Sequence, residues 1–373
     1  MISLYFHIPF CTRKCPYCHF FVLRDNQDQR RAFIDSLKKE WNLKLPLFKN
    51  TPITSIYFGG GTPSKLTREE LTEIFSLFNP LILERDCEIT FELNPEDVSK
   101  EYLTHLKSLN INRLSLGVQS FDDAQLGTIS RTHDASVAKK AIALAEDVGF
   151  TNISIDLMYD LPHQTLKSFE KTLREVKSLP IQHISLYNLI FEQESAFFRK
   201  KEKLIPLLPK EEESSKMLEL AIEYLQEYGF SRYEISAFAK ENNISKHNTG
   251  YWQARPFIGF GPSAFSYWNH SRIKNIANLK KYHDLLNLDK EPVEFTETLD
   301  PESRQKELFA VELRMFKGVN LPSFEKKEGK LFPSLKKSIN ELIEEGLLDK
   351  KINTYSLSER GKLFYDTVGE RLI

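Results

Sequence analysis

Cysteine is scarce in this chain: the 373 residues hold four, and three of them fall within eight positions. A disulfide framework is thereby excluded, because thiols this close cannot staple distant parts of a fold and Cys87 stands alone. Net charge is missing as well. The 51 basic and 52 acidic side chains leave a formal charge of −1, so no global field draws the protein to nucleic acid or to an anionic membrane. No apolar run approaches the roughly 18 residues that span a bilayer. The start, "MISLYFHIPF", has neither the basic n-region nor the small-residue cleavage site of a secretory signal. A cytoplasmic location is expected. Solenoid repeats and low-complexity tracts are also lacking. The rest is an ordinary globular composition, 41% hydrophobic, 12% aromatic and 28% charged. At this length one large domain with at least one smaller attachment is expected.

Over the first 200 residues, short β-branched or aromatic runs alternate with longer amphipathic stretches. "SLYFHI", "SIYFGGG", "EITFELN", "RLSLGVQSF", "ISIDLMYDLP" and "HISLYNLI" read as six strands, separated by helical segments such as "ASVAKKAIALAEDVGF". A βα repeat sets its strands parallel through right-handed crossovers, which leaves a doubly wound sheet and a barrel open. Either architecture binds ligands at the C-terminal ends of its strands. Gly59, Gly60, Gly61, Glu92, Gln119 and Asp156 stand at such ends and are expected to share one mouth. Residues 1–200 are read as this α/β domain, and 201–299 as a segment carrying "HNTGYW" and the glycine-rich "FIGFGPSAFSYW". From 300 to 373, helical stretches and a short β-like pair predict a winged-helix-like C-terminal domain. Winged helices often bind DNA, but Glu302 to Arg371 hold 14 basic against 12 acidic residues. That balance predicts no nucleic-acid partner and suits a lid or docking surface.

Cys11, Cys15 and Cys18 form C-x3-C-x2-C. Structural zinc wants four ligands, commonly two short pairs, and no second pair exists; His19 is adjacent to Cys18, which makes tetrahedral closure awkward. Three local thiolates suit a four-iron cluster with one iron left open. Cys87 is most simply a small buried apolar residue. For His7, on the first strand, a contact behind the cluster ligands and plain packing are both open.

C-x3-C-x2-C after the first strand of a βα chain resembles the radical S-adenosylmethionine (SAM) superfamily. "YFHIPFC", "YFGGGTPS", "FELNPED", "RLSLGVQSF", "SRTHD", "SIDLMYDLPHQT" and "ISLYNLIFEQESAF" follow in order, as in the anaerobic coproporphyrinogen oxidase family, and the resemblance covers nearly the whole chain. It implies a partial (β/α)6 TIM-like barrel and a [4Fe–4S] cluster held by Cys11, Cys15 and Cys18. The open iron is expected to chelate SAM, whose sulfonium is split by one electron, chemistry that belongs to the cofactors. The family's pattern puts Tyr5 beside the sulfonium and Gly59, Gly60 and Gly61 at the methionine amino group. Glu92, Gln119, Arg131 and Asp156 then hold the ribose and the carboxylate. Taken singly, the glycines read as a flexible turn, the acids as helix caps and Tyr5 as core; their joint order after the cysteines points the other way.

Oxidases of this family usually carry an arm before the first strand and a further cysteine two residues after the third, where this chain has Phe20. "HNTGYW", His247 to Trp252, fits instead the H-N-x-x-Y-W motif of the family's haem-chaperone subgroup. That subgroup usually has Asp-Phe after the third cysteine, and His19-Phe20 departs from it. The resemblance implies haem as cargo, with His247 ligating or orienting the iron. It also implies an acceptor protein, a membrane-associated one included, and a reductant for the cluster. Catalysis is left open. The alternative reading is an oxygen-independent coproporphyrinogen III oxidase.

Overall fold

A computed structural model describes residues 1–241 and 243–373. Six parallel strands follow the βα rhythm of the sequence: β1 (Ile2–Ile8), β2 (Ile53–Gly60), β3 (Leu83–Leu93), β4 (Arg113–Gln119), β5 (Ile153–Tyr159) and β6 (His183–Asn188). They neighbour one another in that order. The crossovers carry helices α1 (Gln27–Phe48), α2 (Arg68–Phe75), α3 (Lys100–Ser108), α4 (Ala135–Asp147) and α5 (Leu166–Val176). Local chemistry starts them: Asn26, Ser99 and Asp134 each accept a backbone N–H at a helix start, and Thr67 with Glu70 forms a reciprocal capping box.

The segment after β6 continues the same sheet on both edges. Helix α6 (Glu211–Glu227) leads to β7 (Ser231–Glu234) and β8 (Ala237–Ala239), and β8 pairs antiparallel with β6. Helix α7 (Lys246–Trp252) follows, and then β9 (Phe257–Phe260) crosses to the opposite edge as a seventh parallel strand beside β1. Strands β10 (Phe265–Trp268), β11 (Ser271–Asn275) and β12 (Val293–Thr298) extend that edge antiparallel. The result is one twelve-stranded sheet. Phe6 fastens the β9 edge by stacking between Phe58 and Phe260, at 4.8 and 5.0 Å between ring centroids. A buried carboxylate adds a polar clamp: Glu40 of α1 accepts from Gly261 N–H (2.8 Å), Asn275 Nδ2 (2.6 Å), Tyr282 Oη (2.5 Å) and Lys44 Nζ (2.6 Å).

Parallel strands buried on both faces are normally apolar throughout. These alternate. Leu4, Phe6 and Ile8, Ile89, Phe91 and Leu93, and Ile153, Ile155 and Leu157 pack in the main core. The residues between them, Tyr5, His7, Glu92 and Asp156, face cavities inside the curved sheet. Lower in the same interior, hydroxyl and imidazole groups satisfy one another, as in Ser55 with Ser3 (2.9 Å) and Ser154 with His183 (2.8 Å).

The C-terminal residues run helix, strand, helix, helix, strand, strand, helix, helix: α8 (Pro301–Glu312), β13 (Val319–Asn320), α9 (Leu321–Glu328), α10 (Pro333–Glu344), β14 (Leu348–Lys351), β15 (Thr354–Leu357), α11 (Glu359–Leu363) and α12 (Tyr365–Leu372). They enclose their own core around Phe309, Leu313, Phe324 and Ile339. Arg314 joins this unit to the barrel, 3.4 Å from Glu234 and 4.2 Å over the Trp252 ring. Among the described residues no helix is long and apolar enough to cross a membrane.

Candidate functional site

The cysteine segment lies at the C-terminal mouth of β1 and is shut into a loop. Phe10 and Cys11 pair parallel with Leu23 and Arg24, and Asp25 N–H bonds Cys11 O at 2.9 Å. Within the loop Cys18 N–H turns back onto Cys15 O (3.1 Å), while Phe197 N–H reaches over to Pro16 O (2.8 Å). The three thiols therefore ring one cavity of about 420 Å³, which Gly60, Gly61, Glu92, Gln119, Arg131 and Asp156 also line. Seven of the eight residues expected around SAM are thus near one mouth: six line it and Gly59 packs directly on Glu92. Tyr5 faces the adjoining, larger cavity.

Each contact has a local cause. A Cβ on Gly59 would stand 2.9 Å from Glu92 Oε1, and one on Gly61 would stand 2.7 Å from Ile8 O. Gly60 has φ +100°, and its Cβ would meet the His7 ring at 2.4 Å; only glycine fits there. The pairing of β4 with β5 slips between Leu116 and Gln119, and Gln119 takes a left-handed φ of 68°. Such an irregularity re-aims a side chain, here into the cavity. Arg131 donates from Nη2 to Asn94 Oδ1 and Gly117 O, both at 2.8 Å, and its Nη1 lies 3.6 Å from Cys15 Sγ.

The electrostatics are those of a desolvated site. Burial pushes the Glu92 carboxyl up to about 7, against the Tyr57 Oη bond of 2.6 Å that favours its ionised form. Burial likewise pushes Asp156 up to about 6, with Ser185, Arg113 and Arg131 pulling the other way. The Cys11 thiol is raised to about 11 by burial, and Cys18 is raised for the same reason. Ionised thiolates here need the compensation that metal centres provide.

The larger cavity, about 1090 Å³, shares Lys14, His19, Phe20, Glu92 and Tyr187 with the cysteine pocket. Its inner end is α7. Ser245 caps that helix, and the Glu88 carboxylate accepts the N–H groups of Lys246 and His247, both at 3.0 Å. His247 is buried, not on an open loop, and both ring nitrogens are engaged, Nδ1 with Ser55 Oγ (2.9 Å) and Nε2 with Tyr251 Oη (2.8 Å). Burial lowers it to about 3, so the ring is neutral. Cys87 is buried outside both cavities. His7 lines the larger one, its Nε2 2.8 Å from Phe21 O.

Sequence reading missed Tyr57, Asn94, Ser115, Gly117 and Tyr187, which also line these cavities. The usable signal was the period-two alternation itself: a polar residue at every second position of a strand that should be apolar on both faces.

A radical SAM superfamily model matches residues 5–176. Heme chaperone HemW of Bacillus subtilis is 34% identical over 99% of this chain and 98% of its own length. Heme chaperone HemW of Lactococcus lactis is 33% identical over 100% and 97%. The chain belongs to the HemW family of radical SAM proteins. Among solved structures, coproporphyrinogen III oxidase (HemN) from Escherichia coli, a radical SAM enzyme, superposes with a TM-score of 0.87 at 24% identity. That match covers 100% of this chain and 89% of the other, and it speaks to the fold.

Membership of the superfamily implies a [4Fe–4S] cluster and SAM, and the residues present fit both. Among the described residues no three His, Cys, Asp or Glu side chains converge for a single metal ion. The cysteines ring a shared space instead, as a multi-iron cluster requires. Arg131 lines the cavity with its Nη2 held by Asn94 and Gly117, a guanidinium placed for an anionic ligand group. Glu92, held by a neutral phenol, is a carboxylate left over for a cation.

Proposed function

We propose that the protein binds haem in the larger cavity and passes it to an acceptor protein, with a [4Fe–4S] cluster and SAM held alongside. The observation that carries this reading is a cavity of about 1090 Å³ with Tyr251, Trp252, Phe257 and Phe265 in its lining, in a chain alike over its full length to proteins named heme chaperones. That volume lies just above the roughly 300–1,000 Å³ typical of small-molecule and cofactor sites. Flat aromatic surface suits a macrocycle.

Cys11, Cys15 and Cys18 ligate the cluster, leaving one iron for SAM. When bound, the cluster supplies one electron at a time to the sulfonium. Gly59, Gly60 and Gly61 let the backbone approach the methionine amino group. Arg131 offers its guanidinium to the carboxylate, and Glu92, Gln119 and Asp156 accept from or donate to the ribose. Tyr5, which faces the larger cavity, stands toward the sulfonium. His247 orients the haem pocket from its inner end through Tyr251. Residues 1–200, 201–299 and 300–373 act as the cofactor barrel, its family-specific extension and a docking module for the acceptor. The partners are an acceptor protein and a reductant for the cluster, and nucleic acid is not among them.

Anaerobically reconstituted protein tests this directly. Haem titration is expected to give a stoichiometric complex with a Soret band. Incubation with SAM, a strong reductant and coproporphyrinogen III is expected to leave the porphyrinogen unchanged. Absence of a haem complex, or decarboxylated product that disappears in Cys15→Ala, sinks the chaperone reading, and the second result makes the protein an oxidase.

A further inference from the structure

Three histidines line the larger cavity: His7, His19 and His247. Two are spoken for. His247 uses both ring nitrogens, on Ser55 and Tyr251, and His7 bonds Phe21 O at 2.8 Å and Tyr5 Oη at 3.2 Å. Binding iron through either ring requires breaking an internal hydrogen bond and leaving its partner unpaired in a buried site, at a cost of about 1–3 kcal/mol. His19 differs in every respect. It is exposed, its ring leans on Phe20 with centroids 4.6 Å apart, and among the described residues neither ring nitrogen has a partner. It also lines both the larger cavity and the cysteine pocket, so it stands where they join.

We infer that His19 is an axial ligand of the haem iron, holding the macrocycle at the cavity mouth beside the cluster; this rests on the haem reading above. An imidazole nitrogen donates its lone pair to iron without any further reactant. The neighbours suit the rest of the molecule. Phe20 and Phe265, each about half exposed at 49% and 47%, present apolar rings that haem would cover. Lys14 and Lys274 line the same cavity and supply cations for the propionates. A ligand at an exposed mouth also fits delivery, because an acceptor can reach the iron without the barrel opening. His247, walled in by Ser55, Tyr57 and Tyr251, offers no such route.

The test uses full-length, anaerobically reconstituted protein and ferric haem, comparing wild type, His19→Ala and His247→Ala by absorption and electron paramagnetic resonance. In His19→Ala the Soret band and low-spin signal are expected to change, haem affinity to fall by about tenfold or more, and added imidazole to restore the wild-type spectrum. Iron and sulfide content should stay at the wild-type level. An unchanged haem spectrum and affinity in His19→Ala overturns the assignment while leaving haem binding intact; so does loss of the cluster, which makes His19 part of the cluster's own surroundings. If wild type binds no haem, the broader reading fails with it. Loss of the signal in His247→Ala alone, with His19→Ala unaffected, returns the ligand to His247.

Discussion

Glu92 makes the proposed SAM site sensitive to pH in a way that can be calculated. Its carboxyl is lifted to about 7 by burial, and the groups that face it are the Tyr57 hydroxyl, Asp156, the Gly60 N–H and Arg113. Only the ionised form is complementary to a sulfonium cation and its ribose hydroxyls. A carboxyl titrating near 7 is about one-tenth ionised at pH 6 and about nine-tenths at pH 8, and apparent affinity scales with the competent fraction. Binding of SAM should therefore tighten about tenfold across that interval, with Asp156, titrating at about 6, adding roughly another twofold. The direction is upward with pH because both carboxyls are raised and lose their protons within the window. Glu92→Gln keeps the shape and removes the titration, so its profile should retain only the roughly twofold part. Calorimetry on reconstituted protein at pH 6, 7 and 8 measures both. The ligand's own amine titrates in either protein and cancels in the comparison. A Glu92→Gln profile as steep as wild type refutes the reasoning, since the slope then comes from elsewhere.

Other expectations concern the scaffold. Gly60→Ala places a Cβ 2.4 Å from the His7 ring at φ +100°; it should cost about 1–3 kcal/mol in urea unfolding and abolish SAM binding, and a variant that binds normally contradicts the cradle. Lys44→Met leaves the Glu40 carboxylate buried beside Tyr282 and Asn275 without its cation. Loss of about 3–5 kcal/mol is expected, most of it regained in the double variant with Glu40→Gln, as thermal melts can show. Phe6→Ala removes the ring stacked between Phe58 and Phe260 and should destabilise by about 3–5 kcal/mol without altering iron content. Cys15→Ala should reconstitute with little cluster iron, measured chemically, because two thiolates are too few to hold the cubane.

Much of this molecule was legible in one dimension, for reasons that differ from part to part. Three cysteines within eight residues need only a short closed loop to reach a common centre, so their spacing, with no second ligand pair and a βα repeat around it, was enough to favour a cluster. The six strands of the βα repeat declare themselves through hydrophobic runs, and parallel order then places Gly60, Glu92, Gln119 and Asp156 at one mouth. Non-local pairing was beyond that reading. Nothing in "FIGFGPSAFSYW" says that Phe257–Phe260 adds to β1 as a seventh parallel strand, because the partner is some 250 residues away and the Phe6 stack that secures it exists only after folding. His247 shows the same limit at a single residue. The motif marked it as chemically distinctive, but whether its nitrogens are open or engaged depends on Ser55 from a different strand and Tyr251 one helical turn on. His19, one residue past Cys18, looked like an irregularity in a motif; its place at the junction of two cavities is a fact of tertiary structure alone. The sequence by itself determined the elements and the cysteine loop, since both rest on local spacing and periodicity. The tertiary structure decided which polar groups are satisfied and which are left for ligands, because hydrogen-bond partners and burial are set by contacts between distant parts of the chain.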